Sequence, residues 1–374
     1  MNMLGQIKSA FHKYSLTEFL KKGTHYFFWR ILPEKVIWKL APENKVKAFI
    51  AERKSMRTAY FYLRGSFDTE QRSLLYGQSM YSDNIKYMDD PRDELVRNIH
   101  RIEKGLSMPE RRDIFADGYI VETVEYLIRY RELVDSSSHP QVTWAIDVLN
   151  EYFEVVEYNS EIKEAKEHFK NNFGEDESVT NEKIPRSRER VEHNIPSYEN
   201  FRQLTNQRSS TRWFESTDVS DEVLDKAIEA AAQSPSACNR QSFEFKIYKQ
   251  EKDIDRLTDL AIGVAGYENN IPCMVALVGK HRAYHTDRDR HIIYIDASLA
   301  AMSFQFALET LGLASCCINW PVIPKKEKEI SNILGLSPDE EVVMLMAVGH
   351  PDPNKMVPYS EKKDLDDIRS YENT

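Results

Sequence analysis

The chain has 374 residues, of which 29% are Asp, Glu, Lys or Arg, and it carries ten net negative charges at pH 7. An acidic chain with no broad basic domain lacks a continuous source of phosphate contacts, which argues against a nucleic-acid role; any dianion it binds must meet locally concentrated positive charge. Four cysteines, none before Cys238, fit a reducing compartment, and the expected location is cytoplasmic, with membrane-peripheral contact left open.

Residues 1–40 hold seven Lys or Arg against two Glu, interleaved with Phe19, Leu20, Phe27, Phe28, Trp29, Ile31 and Leu32. Two readings stand: a basic amphipathic segment lying on an anionic membrane, or aromatics packed on the following domain. No apolar run reaches the roughly 18 to 20 uninterrupted residues of a bilayer span, and no secretory signal is evident. Downstream, Trp144, Ala145, Val148, Leu149, Tyr152 and Val155 recur at helical spacing. Strand-like alternation is scarce here, so residues 1–170 read as an all-helical domain. His100 and Glu103 share a helix face, but two ligands are not a metal site, and a salt-linked surface fits better. The segment from His100 to Tyr119, with Arg111 and Arg112, is a candidate cap over a pocket. Residues 171–200 are polar, carry Gly174, Pro185 and Pro196, and read as a linker. The remainder, 201–374, is the second domain.

In that domain Ser220 caps a predicted helix whose first turn holds Asp221 and Glu222 and whose Val223, Leu224, Ala227, Ile228 and Ala231 form one face. Phe243, Phe245 and Ile247 alternate as in a half-buried strand. Cys273 to Val278 and Val342 to Val348 are buried strands. Between them, Ile292 to Leu311 is a long helix with a small-residue stripe, ended by Gly312; it is either a dimer-forming helix or an internal one. The pattern is α+β. His281, Arg282, His285, Arg288, Arg290 and His291 form either a substrate-facing loop or an exposed charged one. Cys316 and Cys317 are adjacent, without C-x-x-C spacing, and read as packing residues.

Chemistry concentrates in Arg208-Ser-Ser-Thr-Arg-Trp-Phe214, Ser234-Pro-Ser-Ala-Cys-Asn-Arg-Gln241 and Ser360-Glu-Lys-Lys363. Arg208, Arg212, Lys362 and Lys363 are cations suited to a phosphate or a flavin carbonyl, while Ser209, Ser210, Ser236 and Asn239 are short donors suited to ribityl hydroxyls. With Gly312-Leu-Ala-Ser-Cys-Cys-Ile-Asn-Trp320 as a fourth element in order, residues 201–369 resemble the nitroreductase family of FMN-dependent oxidoreductases, with a central, mostly antiparallel sheet. The first half is not assigned to a family. Two departures stand out: Trp320 where many members carry Gly, and Glu361-Lys362 in place of Pro-Arg.

The resemblance implies that Arg208, Ser209, Ser210 and Arg212 hold FMN, and that Pro235, Ser236, Ala237, Asn239 and Gln241 reach it from the other subunit of a homodimer. Lys362 and Lys363 would complete a phosphate clamp, and the backbone at Ile318, Asn319 and Trp320 would lie by the flavin N5. It implies an NAD(P)H-reduced flavin reoxidised by an electron-poor small molecule in a ping-pong cycle, with no metal and no side chain nominated as acid or base. Two alternatives stay open: a flavin-binding scaffold docking a membrane or partner enzyme, in which Trp320 blocks the ring, and a dehydrogenase or oxidase that uses oxygen.

Overall fold

The computed structural model describes residues 44–134, 138–174, 182–187 and 196–372. The amphipathic segment expected over residues 1–40 lies outside the described residues, as do 175–181 and 188–195 of the expected linker. Two compact units divide the chain, Met1–Arg72 and Ser73–Thr374.

The first unit contains α1 (Asn44–Ala51), α2 (Lys54–Arg64) and the start of α3 (Asp68–Tyr87). Helix α2 buries no residue and ends at Gly65, whose φ of 59° admits the left-handed cap that a side chain would resist.

The second unit begins with a helical bundle of α4 (Arg92–Leu106), α5 (Ile120–Leu133), α6 (Pro140–Val155) and α7 (Ser160–Phe173). Its core joins Ile99 and Ile102 of α4, Val124 and Leu127 of α5, Ile146, Leu149 and Tyr152 of α6, and Phe169 of α7. Pro140 starts α6 where a missing amide N–H costs nothing. Polar groups entering this core are matched: Tyr152 Oη donates to the Phe115 carbonyl at 2.6 Å, and Trp144 Nε1 donates to Glu103 at 2.8 Å. His100 Nδ1 lies 3.5 Å from the same Glu103. The helical reading of this half is borne out over the described residues.

Helix α8 (Tyr198–Gln207), capped by Ser197, leads into the sheet-bearing part. Helix α9 (Asp221–Ala232) starts as expected, with the Ser220 hydroxyl accepting the Val223 amide. Four strands follow: β1 (Phe243–Tyr248), β2 (Cys273–Lys280), β3 (Ala314–Asn319) and β4 (Glu340–Gly349). They form one sheet in the order β1-β2-β4-β3, antiparallel at every pairing, with Phe245 opposite Leu277, Val275 opposite Met346 and Cys316 opposite Ala347.

Both faces of the sheet are covered, which is why β2 reads as a continuous apolar run rather than an alternation. Met274, Ala276 and Val278 point to one core with Ile254 and Leu257 of α10 (Glu251–Leu260) and Ile330 of α12 (Pro324–Leu334). Cys273, Val275 and Leu277 point to the other, with Leu224 and Ala227 of α9 and Ala297, Ala300 and Phe304 of α11 (Ile292–Thr310). Small residues on α11 let it lie close to both α9 and the strands. By length and composition alone the segment Asp287–Thr310 could cross a bilayer, although Asp296 and Glu309 interrupt its apolar run; its apolar stripe is here the wall of a sheet core. The α+β class is confirmed, with helices on both sides of an antiparallel sheet.

Candidate functional site

The first motif runs beside the sheet edge. Arg208 ends α8, its amide donating to the Leu204 carbonyl at 3.0 Å. Ser210 then pairs with Ser315 of β3 as an isolated parallel bridge, and the Thr211 amide donates to the Ser315 carbonyl at 3.1 Å. Arg212 donates back to the Ser210 carbonyl at 3.2 Å and stands 5.9 Å from the Tyr267 ring. Phe214 anchors the segment: it is buried, pairs with Pro351, and exchanges hydrogen bonds with the Asn270 side chain at 2.6 and 3.1 Å. The arginines are thus held on a ladder rather than on a free loop.

Around Arg208 lie Glu309, near the end of α11, and Cys317 of β3. Burial holds the Glu309 carboxyl above its ordinary value, and Arg208 opposes the shift. Crowding around the surface-accessible Cys317 pushes its thiol up to about 11, with Cys316 adding and Arg208 opposing. At neutral pH it is a thiol, which is not a nucleophile. Strand alternation puts Cys317 and Asn319 on the exposed side and Cys316, Ile318 and Trp320 inside. The buried Ser315 hydroxyl has no hydrogen-bond partner among the described residues, an unmatched polar atom beside the Ser210 ladder.

Trp320 departs from its expected ring-facing position. It is buried in the α10–α12 core and donates its indole N–H to Glu327 at 2.6 Å. The strand that places Asn319 outward turns the next side chain inward, so the size of Trp320 is taken up by the core.

The second motif links α9 to β1. Ser234 Oγ lies 2.7 Å from Ser303 Oγ, and the Ala237 amide donates to Asp296 at 3.0 Å, both partner residues being on α11. Cys238, Asn239 and Gln241 have φ of 53°, 57° and 50°. Left-handed backbone at non-glycine residues costs on the order of 1–3 kcal/mol each and persists where the surroundings over-determine it, often at functional sites. Gln241 is held at both ends, its amide donating to Ser236 Oγ at 3.1 Å and its Nε2 to the Ala232 carbonyl at 2.8 Å.

Helix α11 measures how far apart the motifs are. The loop tip bonds Asp296, Ser234 bonds Ser303, and Arg208 acts on the Glu309 carboxyl through its charge; at about 1.5 Å per residue these two anchors of the second motif lie roughly 20 and 9 Å from Glu309 along the axis. Within one chain the second motif runs along the middle of α11, from Ser303 to Asp296, with its tip farther than its start from the end where Arg208 lies. Lys362 and Lys363 are not brought to Arg208 either. They lie on a segment, 353–372, that is exposed throughout, and Lys362 Nζ donates to the Ser360 carbonyl.

The charged loop after β2 is mostly engaged internally. Arg282 forms a two-pronged pair with Asp339 at 2.7 and 2.8 Å and also binds Glu340, while His281 is buried with Nε2 3.5 Å from Glu341. Nor does the segment from His100 to Tyr119 meet the second motif: Arg101 stacks on Tyr119 at 3.8 Å and Arg111 reaches the Val155 carbonyl. The helical half does reach that motif, through Arg92, Asp93 and Glu94. Sequence reasoning passed over Asp296, Glu309 and Arg240. An acid inside an otherwise apolar helix was the available signal for the first two; for Arg240 there was none.

Two stretches, residues 205–270 and 268–350, match the profile described as the nitroreductase family. Residues 205–350 are a nitroreductase-family domain. An iodotyrosine deiodinase from Hydra vulgaris is 26% identical over 207 residues, covering 49% of this chain and 76% of that protein. Iodotyrosine deiodinase 1 from Homo sapiens is 24% identical over 196 residues, covering 45% of this chain and 67% of that protein. Among solved structures, an FMN-dependent nitroreductase from Clostridium difficile aligns with TM-score 0.39 at 23% identity, over 46% of this chain and 98% of that one. A nitroreductase family protein from Streptococcus pneumoniae aligns with TM-score 0.40 at 20% identity, over 46% and 100%. The nitroreductase-family domain belongs to a family of oxidoreductases that typically use FMN and are commonly homodimers.

Proposed function

We propose that the chain is an FMN-dependent oxidoreductase acting as a homodimer with shared sites. The reading rests on the nitroreductase-family match over residues 205–350 together with the Arg208–Phe214 segment, which Ser210 and Thr211 lay along β3 beside the unmatched Ser315 hydroxyl. Within one chain the tip of the second motif is anchored at Asp296, away from the end of α11 near Arg208, and a second copy across a two-fold axis offers its loop tip to the first copy's arginines.

In this arrangement Arg208, Ser209, Ser210 and Arg212 hold the cofactor, with the Ser315 hydroxyl as a further polar group beside them. Pro235, Ser236, Ala237, Asn239 and Gln241 come from the second copy. The backbone at Ile318 to Trp320 lies by the ring. The exposed segment that carries Lys362 and Lys363 supplies charge to the phosphate once it is laid on a partner. Bound FMN supplies hydride or electron transfer between NAD(P)H and an electron-poor acceptor, while the chain's own groups orient it and keep Cys317 neutral. No side chain here is needed as acid or base.

Similarity to the iodotyrosine deiodinases favours a second reading of the same site: reductive removal of halogen from an aromatic substrate. The burial of the Trp320 side chain in the α10–α12 core, bonded to Glu327, favours the catalytic reading over the scaffold alternative. Purified chain is titrated with FMN, reduced anaerobically with NADH or NADPH, and offered a nitroaromatic, a quinone, oxygen and iodotyrosine. Stoichiometric FMN and bleaching by a nicotinamide support the proposal, and the acceptor that restores colour fastest chooses between the readings. Colourless protein that cannot be reconstituted sinks both.

A further inference from the structure

The loop that carries Asn239 alternates between two backbone regions. Asn239 and Gln241 are left-handed, and Arg240 between them is right-handed, with φ −72° and ψ −26°. Asn tolerates that region because its short side chain can bond locally; Cys238 and Gln241 have no such help. Bonds within the loop, from Asn239 to the Ser236 carbonyl at 3.0 Å and from Gln241 to the Ser236 hydroxyl, close the turn. The Arg240 amide also donates to the Ala237 carbonyl at 3.3 Å, but among the described residues no loop group holds its side chain or its carbonyl.

The helical half does. Arg92 Nη1 donates to the Arg240 carbonyl at 3.1 Å, and Arg240 Nε donates to the Asp93 carbonyl at 3.3 Å, so loop and helix exchange one hydrogen bond each way. Arg240 is 3% exposed, and its guanidinium stacks on Tyr284 at 5.0 Å. Tyr284 Oη in turn lies 3.0 Å from Ser242 Oγ and 3.2 Å from Asp296, the residue that accepts the Ala237 amide. A cation at the start of a helix faces the positive end of its dipole, so this is not where a surface arginine settles by default. Asp93 and Glu94 in the first turn of α4 offset it, Glu94 standing 3.9 Å from Arg240 Nη2.

We infer that the helical half of this chain sets the geometry of the cofactor loop, with Arg240 as the positioning residue through which α4 holds Asn239 and Gln241. The role assigned to the loop rests on the FMN reading above; the clamp itself rests on the hydrogen bonds. It gives the helical half a task in this site: an external support that keeps a strained loop in one conformation before cofactor arrives.

Two readouts on the full chain test it: amide hydrogen exchange over residues 236–241 without cofactor, and the Kd for FMN from quenching of its fluorescence. Arg92→Ala removes the donor to Arg240 from a partly exposed position. It is expected to speed exchange in the loop while leaving α5 to α7 protected, to raise the Kd about tenfold, as loss of one charge-assisted hydrogen bond implies, and to change the visible circular dichroism of bound flavin. Arg92→Lys restores a donor and is expected to recover most of the affinity. Arg240→Gln should exceed Arg92→Ala in every readout; if it does not fold, Arg92→Ala decides. A folded Arg92→Ala with wild-type exchange, Kd and flavin dichroism overturns the inference. Wild-type chain that binds no FMN overturns the functional reading instead, and the clamp then stands or falls on exchange alone.

Discussion

Single side chains in this protein are assigned by which face of a strand or helix carries them. Trp320 and Asn319 are neighbours in sequence, yet one is in a core and the other is exposed, because β3 turns successive residues to opposite sides. The indole of Trp320 brings Glu327 into that core, and burial raises the Glu327 carboxyl from its ordinary 4.5 to about 7, with the indole hydrogen bond opposing. Between these values the unfolded chain has released the proton and the folded chain retains it, so stability falls as pH rises through the window and the loss is complete above about 7. Glu327→Gln removes this dependence. Urea midpoints at about pH 5 and about pH 7.5 should show the variant gaining on wild type at the higher pH; a constant difference would place the ionisation elsewhere. Trp320→Phe leaves the carboxyl without its donor and should cost about 1–3 kcal/mol in the same assay.

At the scale of elements, the placement of the first motif depends on close contact at one glycine. A Cβ at Gly349, the last residue of β4, would meet Pro272 at 2.6 Å and the Phe214 ring at 2.9 Å. Gly349→Ala therefore forces Phe214 away from the strand and with it the segment that leads back to Arg212. The expected outcome is a loss of about 1–3 kcal/mol by thermal or urea unfolding, as for other overpacked cores, with weaker FMN binding in the folded fraction. Unchanged affinity would show that Phe214 does not fix the arginines. Most elements were legible beforehand: the Ser220 cap, the α11 stripe ending before Gly312, and the apolar runs of β2 and β4 all follow local rules of capping and periodicity. The pairing order β1-β2-β4-β3 was not, since it depends on contacts far apart in sequence.

For the whole molecule, the exposed segment 353–372 is the part least explained by one copy of the chain. It shows Met356, Tyr359 and Tyr371 to solvent beside Lys362 and Lys363. A surface of that kind is stabilised by laying it on a partner. Removing residues 353–374 should shift the chain from dimer toward monomer in sedimentation experiments and weaken FMN binding at the same time. Lys362→Ala with Lys363→Ala should weaken FMN binding while leaving the dimer intact, and the effect should shrink as salt is raised, because exposed charges are screened within about 10 Å at 0.1 M. A truncated chain that remains dimeric and holds FMN as tightly as before would assign the segment another role.

By itself the sequence determined the fold class, the helical character of the first half and the family of residues 205–350, because capping, periodicity and the order of four short motifs are local properties. It named the arginines, serines and lysines of the proposed site but could not say which of them one chain brings together. Tertiary structure decided that: the second motif lies along α11 between Ser303 and Asp296, β3 turns Trp320 inward, and α4 meets the loop at Arg240, through contacts between residues 147 and 148 positions apart. Such contacts leave no periodic trace, since each depends on how separate elements pack rather than on the spacing of residues within one of them.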